Sequence, residues 1–357
     1  MVEKIQIINY KSIVELTLGL GRFNVIIGTN GCGKSNILEA ITMASASHQH
    51  KLDTEFLLNR NVRVTEPFFM TNAFDDVELN DGHMYFVVNG NDGQYYNIGF
   101  NLIHYEKTKA WKNLLGESSV VRPNSIMNQH GSTQFDAIVE EFASFLSYRP
   151  VENMLREVKD SPIYPLGIRG EGLMQYLKSI SINEEYKELF LKINEGLRML
   201  DWFDGFNIPD GLLSNEYKLS IGDKFLKDSL HFFDQRSTNE GFLYLLFFLT
   251  LFNSKDTPQF FAVDNIETSF NPGLCQSLTK YLVKTTKEND KQVILTTHNP
   301  FVLDGMDLSD DEVRLFVCRR DIDGHTKIER VKYREDRKMS LSELWMSGLI
   351  GALPDNF

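Results

Sequence analysis

Gly28-Thr29-Asn30-Gly31-Cys32-Gly33-Lys34-Ser35 fits the pattern GxxxxGKS, a spacing of residue types suited to holding phosphate. Gly28, Gly31 and Gly33 let the backbone turn tightly enough for successive N–H groups to face a β-phosphate. The following helix would add the positive end of its dipole. Lys34 is then expected to reach the β- and γ-phosphates and Ser35 to bind Mg²⁺, with Asn30 and Asn36 beside them in the nucleotide site. The flanks supply the context this motif requires: Phe23-Asn24-Val25-Ile26-Ile27 is an apolar strand, and Asn36-Ile37-Leu38-Glu39-Ala40 starts a helix.

A phosphate loop alone leaves kinases, GTPases, motors and transporters open. Two segments near the end of the chain narrow the choice. Phe260-Phe261-Ala262-Val263-Asp264 is an apolar run ending in an acid, the form of a buried strand that delivers a carboxylate to the magnesium shell. An isolated strand-end aspartate would be ordinary, and it is the loop at 28–35 that favours the metal role. Val293-Ile294-Leu295-Thr296-Thr297-His298 is a second such strand, and it would set His298 beside the γ-phosphate.

Other elements must position these groups. Ile5 and Ile7, then Val14, Leu16, Leu18 and Leu20, alternate with polar residues around a turn at 9–12, which predicts two antiparallel strands. Residues 84–105 read as a hairpin or meander turning at Asn89-Gly90-Asn91-Asp92-Gly93. From about 135 to 235 the period becomes helical, and Tyr186, Phe190, Ile193, Leu197 and Leu200 form a stripe too short for a coiled-coil arm. The last third alternates: a buried helix at 242–252, a strand at 259–263, a helix at 274–284, and strands at 292–296 and 313–318. That order implies a parallel sheet covered by helices.

Composition sets bounds. The 357 residues suit one large α/β domain with an insertion, or two modest domains. Hydrophobic residues at 42% and charged residues at 24% describe an ordinary globular chain. A net charge of −12 argues against a surface built wholly for nucleic acid, and Lys332–Lys338, with both signs mixed, reads as a solvated loop. No apolar run approaches the ~20 residues of a membrane helix, and the start of the chain carries no export pattern. Cys32, Cys275 and Cys318 fall in three elements without metal or disulfide spacing, so a cytoplasmic location with no membrane association is expected.

Together these residues resemble the ABC-type ATPase heads of the SMC, RecF and OLD group, and especially the compact AAA family ATPases of antiphage systems such as Septu and PARIS. The resemblance covers Ile7–Ile13, 23–41 and 236–305, and more loosely Leu341–Trp345 and Gly351–Pro354. It implies ATP and Mg²⁺ as cofactors and an α/β P-loop NTPase fold of ABC-ATPase type: a mixed sheet, an antiparallel β lobe and a helical insertion. The implied division is an N-terminal ATPase lobe (1–134), a helical insertion or lid (135–235) and a C-terminal lobe (236–357). In that family two heads sandwich ATP, so the site is complete only in a homodimer or higher homo-oligomer. Asn239-Glu240-Gly241 matches the signature segment that meets the other subunit's phosphate, His298 matches the switch histidine, and Ser269-Phe270-Asn271 falls where partners touch.

Two departures bear on activity. The signature position usually held by serine is Asn239, whose amide can still donate to a γ-phosphate. After Asp264, where the family places the glutamate that activates water, stands Asn265. Losing a general base typically removes a factor of about 10²–10⁴, so tight binding with slow turnover is expected, with Lys34, Asp264, Asn265 and His298 as the reacting-centre residues. Glu267 is a candidate substitute base or a dimer contact. The family's magnesium-contacting glutamine is not assignable among Gln94, Gln129 and Gln134.

Weaker signals resolve to ordinary structure. Asp321-Ile322-Asp323-Gly324 reads as a turn rather than a Toprim metal site, and His48-Gln49-His50 as surface. Arg169–Leu173 resembles a segment leading into a lid, or a plain loop and helix start. The expectation is a nucleotide-driven dimerisation switch, with defence against phage through a separately encoded nuclease or toxin implied by the resemblance. Alternatives are a RecF-like repair or chromosome-maintenance ATPase, with DNA as an open ligand, and a non-hydrolysing nucleotide-sensing scaffold.

Overall fold

The computed structural model describes residues 1–47, 52–66, 69–74, 77, 83–90, 95–101, 120–121, 139–156, 163–213, 216–227, 232–335 and 338–353. His48, Gln49, His50, Gln94, Gln129, Gln134 and Pro354 lie outside them. In chain order the elements begin β1 (Val2–Tyr10), β2 (Ile13–Gly19), β3 (Phe23–Ile27), α1 (Lys34–Ala46), α2 (Thr54–Leu58), β4 (His83–Gly90), β5 (Tyr95–Asn101), β6 (Val120–Val121) and β7 (Leu146–Tyr148). They continue α3 (Glu152–Arg156), α4 (Leu173–Ser181), α5 (Lys187–Leu197), β8 (Phe203–Asn207), β9 (Ser220–Asp223) and α6 (Glu240–Asn253). The last are β10 (Phe260–Val263), α7 (Pro272–Glu288), β11 (Gln292–Thr296), β12 (Val313–Arg320), β13 (Thr326–Val331) and α8 (Leu341–Met346).

The central sheet has the order β13-β12-β3-β11-β10-β7. All neighbours pair parallel except the β12–β13 edge, which is antiparallel. Every residue of β3, β10 and β11 is buried, which is why these strands are continuous apolar runs rather than alternating ones. Alternate side chains serve two cores. Phe23, Val25, Ile27, Phe261, Val263, Val293 and Leu295 face the layer holding α4 to α7. Ile26, Phe260, Ala262 and Ile294 face α1 and the antiparallel sheet β2-β1-β4-β5-β6.

Helix α6 is apolar on all sides and buried from Phe242 to Phe252, as expected of a helix packed within the core. The stripe on α5 points inward: Ile193 and Leu197 are fully buried, with Tyr186, Phe190 and Leu200 packed on the same core. The described residues of 135–235, expected to be helical, carry strands as well as helices. The segment contributes β7 to the central sheet, and the β8-β9 hairpin follows α5. These strands are too short for a period-two pattern to stand out.

Parallel pairing places the C-terminal ends of β3, β11, β10 and β7 along one edge of the sheet, where ligands bind in open α/β folds. Because β11 lies between β3 and β10, the residues after it fall between the phosphate loop and Asp264.

Candidate nucleotide site

The loop after β3 is pressed onto β12 and β13. A Cβ on Gly28, at φ 152°, would sit 2.2 Å from the Cys318 carbonyl oxygen. One on Gly33, at φ 114°, would sit 2.2 Å from Thr326 Oγ1. Thr326 Oγ1 in turn donates to the Cys32 carbonyl (2.9 Å) and shares a hydrogen bond with Ser12 Oγ (2.7 Å). Glycine at 28 and 33 therefore answers to close approach as well as to backbone angle. Cys32 and Cys318 are adjacent rather than unrelated: Cys318 Sγ donates to the Cys32 carbonyl (3.5 Å), and the proximity of the two thiols, with the nearby Lys34 ammonium, lowers the Cys32 pKa and, with burial, raises that of Cys318.

Lys34 is buried, and its Nζ donates to the carbonyls of Gly28 (2.7 Å) and Thr29 (3.1 Å). The ammonium thus spans the mouth of the loop, where phosphate oxygens would meet it. Asn36 is committed at both ends of its amide: Nδ2 donates to Ser12 Oγ (2.7 Å), and Oδ1 accepts from Arg63 Nη2 (2.8 Å). Its part in a nucleotide site is to brace the turn after β1 against α1. Asn30, with Gly28, lines a cleft of about 560 Å³ closed by His298, Trp345 and Leu353. Gly31 contributes its carbonyl to Arg320 Nε (3.1 Å).

Asp264 leaves β10 held on two sides. Its N–H donates to the Tyr148 carbonyl (2.9 Å), and its Oδ1 accepts from Thr296 Oγ1 (2.5 Å). Thr296 Oγ1 also accepts from the Asn265 N–H (3.0 Å), so one buried hydroxyl fixes both residues. Asn265 has φ 60°, a left-handed conformation that asparagine tolerates better than most side chains. Ser35 and Asp264 line one cavity of about 210 Å³, together with Glu39, Arg63, Arg149 and Arg169. Serine hydroxyl and carboxylate are hard oxygen donors of the kind Mg²⁺ takes, and Asp264 Oδ2 has no protein partner among the described residues.

His298 follows β11, its N–H donating to Glu267 Oε1 (2.9 Å). Desolvation and the Lys34 charge lower its pKa from 6.5, against the opposing pull of Glu267 and Asp264. Glu267 Oε2 is buried without a hydrogen bond.

Asn239 and Gly241 line neither of the cavities that hold Ser35 and His298. Asn239 caps α6, its Oδ1 accepting from Phe242 N (2.9 Å), which leaves its amide N–H groups as donors. Gly241 packs beside the Ser269 carbonyl, where a Cβ would come within 3.3 Å. Asp321 Oδ1 accepts from the N–H groups of Asp323 (3.1 Å) and His325 (2.8 Å), closing the β12–β13 turn expected there.

Sequence reasoning missed four contributors. Thr296, Thr326 and Cys318 carry no motif of their own. Arg149 follows the three-residue strand β7, too short to mark itself by periodicity.

Two family models match the chain: one described as "AAA ATPase domain" over residues 1–155, and one described as "AAA domain, putative AbiEii toxin, Type IV TA system" over residues 183–304. Among curated proteins none matches in sequence. Solved structures show the fold. The SMC head bound to the C-winged helix domain of ScpA aligns with a TM-score of 0.58 at 14% identity, covering 95% of this chain and 99% of that one. The SMC head with an extended coiled coil, bound to the C-terminal domain of ScpA derived from Pyrococcus furiosus, aligns with a TM-score of 0.50 at 16% identity, covering 98% of each chain. The chain therefore has the mixed α/β fold of SMC heads, and two stretches of it are similar to AAA-type ATPase domains. Among the described residues no helix is long and apolar enough to cross a membrane.

Proposed function

We propose that this chain is an ATP-dependent dimerisation switch that turns over slowly and signals to a separate effector. Its carrying observation is the meeting of Ser35, the residue after Lys34 at the start of α1, with Asp264, from the end of β10, at one cavity. In this reading Gly28 to Ser35 cradle the phosphates, Lys34 neutralises them, and Ser35 and Asp264 hold Mg²⁺. The metal would draw charge from the terminal phosphates and fix their orientation.

Asn239 and Gly241 of a second copy complete the cage. Their position at the start of α6, apart from the cavity lined by Ser35, supports a role across an interface. His298, held through its backbone by Glu267 and with its pKa lowered, would accept or donate a hydrogen bond near the γ-phosphate. Asn265 can position water but cannot take its proton, so hydrolysis times the closed state rather than driving a motor.

The partner is a separately encoded protein. The SMC heads above are bound to domains of ScpA, and the layer of α4, α5 and the β8-β9 hairpin is the corresponding candidate to report nucleotide state here. The toxin–antitoxin wording of the family matching 183–304 supports a toxin–antitoxin setting, and an antiphage role with a nuclease or toxin as effector extends that reading. Asn265 also favours a second reading, a scaffold that binds ATP without hydrolysing it. Steady-state phosphate release by pure protein decides between them: slow turnover that disappears in Lys34→Ala supports the switch, and none above background supports the scaffold.

A further inference from the structure

Arg149 and Arg169 face the 210 Å³ cavity that Ser35 and Asp264 share. Neither guanidinium has a hydrogen bond or ion pair among the described residues. The other charged groups around this cavity are committed. Arg63 Nε donates to Glu39 Oε1 (2.5 Å), Glu39 Oε2 accepts from Lys11 Nζ (2.5 Å), and Asp264 Oδ1 is held by Thr296.

The two free arginines ride on fixed backbone. Arg149 N–H donates to the Ile168 carbonyl (2.7 Å) and Val151 N–H to the Arg169 carbonyl (3.0 Å), so the two segments run in step. Arg169 sits on a turn closed by Gly167 N–H to the Glu171 carbonyl (2.8 Å) and by its own N–H to Glu171 Oε2 (2.9 Å). On the other side, the Asp264 N–H bonds the Tyr148 carbonyl (2.9 Å), so Arg149 leaves β7 alongside the carboxylate. Two like charges gathered at one cavity repel each other, and an anion between them relieves that repulsion. Guanidinium is the side chain best suited to take phosphate oxygens in a bidentate way.

We propose that Arg149 and Arg169 form an anion subsite for the terminal phosphate of the bound nucleotide, by which a single chain tells a nucleoside triphosphate from a diphosphate. This rests on the nucleotide reading of the phosphate loop. Charge supports it: a magnesium triphosphate neutralises Lys34 and both arginines once Asp264 is counted, whereas a magnesium diphosphate leaves positive charge in excess.

The test is equilibrium binding of Mg·ADP and of a Mg·ATP analogue with a non-hydrolysable β,γ bridge to wild type, Arg149→Gln, Arg169→Gln and the corresponding lysine variants. Thermal unfolding of each variant checks that the fold is intact. Each glutamine variant should bind the analogue roughly tenfold or more weakly, the scale of a lost charged hydrogen bond, while ADP affinity stays within about twofold and lysine restores part of the loss. Equal weakening of both ligands, or no change in either, overturns the subsite while leaving the phosphate loop's role intact. A wild-type protein that binds neither ligand overturns the nucleotide reading and the subsite with it.

Discussion

Replacing Asn265 with glutamate puts a carboxylate where the chain has an amide, and the backbone determines its cost. At φ 60° a glutamate is disfavoured relative to asparagine by about 1 kcal/mol. The site has little freedom to relax, because the Asn265 N–H is bonded to Thr296 Oγ1 (3.0 Å) and its carbonyl accepts from Thr268 Oγ1 (2.8 Å). For a chain of this size that penalty lowers the melting temperature by about 1 °C. Against it stands the gain of a general base, about 10²–10⁴ in turnover. Asn265→Asp serves as the paired variant, since aspartate tolerates the left-handed conformation and isolates the backbone cost from the chemical gain. Phosphate release in single-turnover conditions and thermal melts on the same preparations give both quantities. An intact Asn265→Glu protein that hydrolyses no faster than wild type would refute the assignment of position 265 to the water-activating post. Attention would then pass to Glu267, and Glu267→Gln should abolish whatever turnover remains.

Thr296→Val keeps the shape but removes the hydroxyl that bonds Asp264 Oδ1 and receives the Asn265 N–H. The buried N–H left unpaired costs about 1–3 kcal/mol in chemical denaturation, and a freed Asp264 should raise the Mg²⁺ concentration that half-saturates nucleotide binding. For His298 the folded pKa lies below 6.5, so as pH falls through 6.5 the unfolded chain takes up a proton that the folded chain still refuses. Stability from this residue is therefore present above that range and lost on acidification. His298→Gln should flatten the fall in stability between about pH 7 and 5.5, measured by urea titration at several pH values.

The phosphate loop, the Asp264 strand and the His298 strand were legible because buried parallel strands are apolar throughout and end where their chemistry begins. Helix α6 was legible for the same reason: nothing from Phe242 to Phe252 asks for water. The region 135–235 was read as helical because α4 and α5 dominate its periodicity, while β7 is three residues long and declares itself only by pairing with β10. Its register sets Arg149 beside Asp264, a relation between residues more than a hundred positions apart that local pattern does not carry. Thr296 and Thr326 were invisible for a related reason: a buried threonine is common, and its importance lies in what its hydroxyl bridges. The Cys32–Cys318 contact is a product of fold alone, made when β12 is laid beside β3.

The central claim is that nucleotide is held between two copies of this chain, and its most direct test is the mass of the protein in solution by light scattering. With Mg²⁺ and a non-hydrolysable ATP analogue, wild type should run at twice the 41.1 kDa of one chain. With ADP it should run as the monomer, as should Lys34→Ala and Gly241→Asp with the analogue. A wild-type chain that binds the analogue and remains monomeric at every protein concentration would contradict the account.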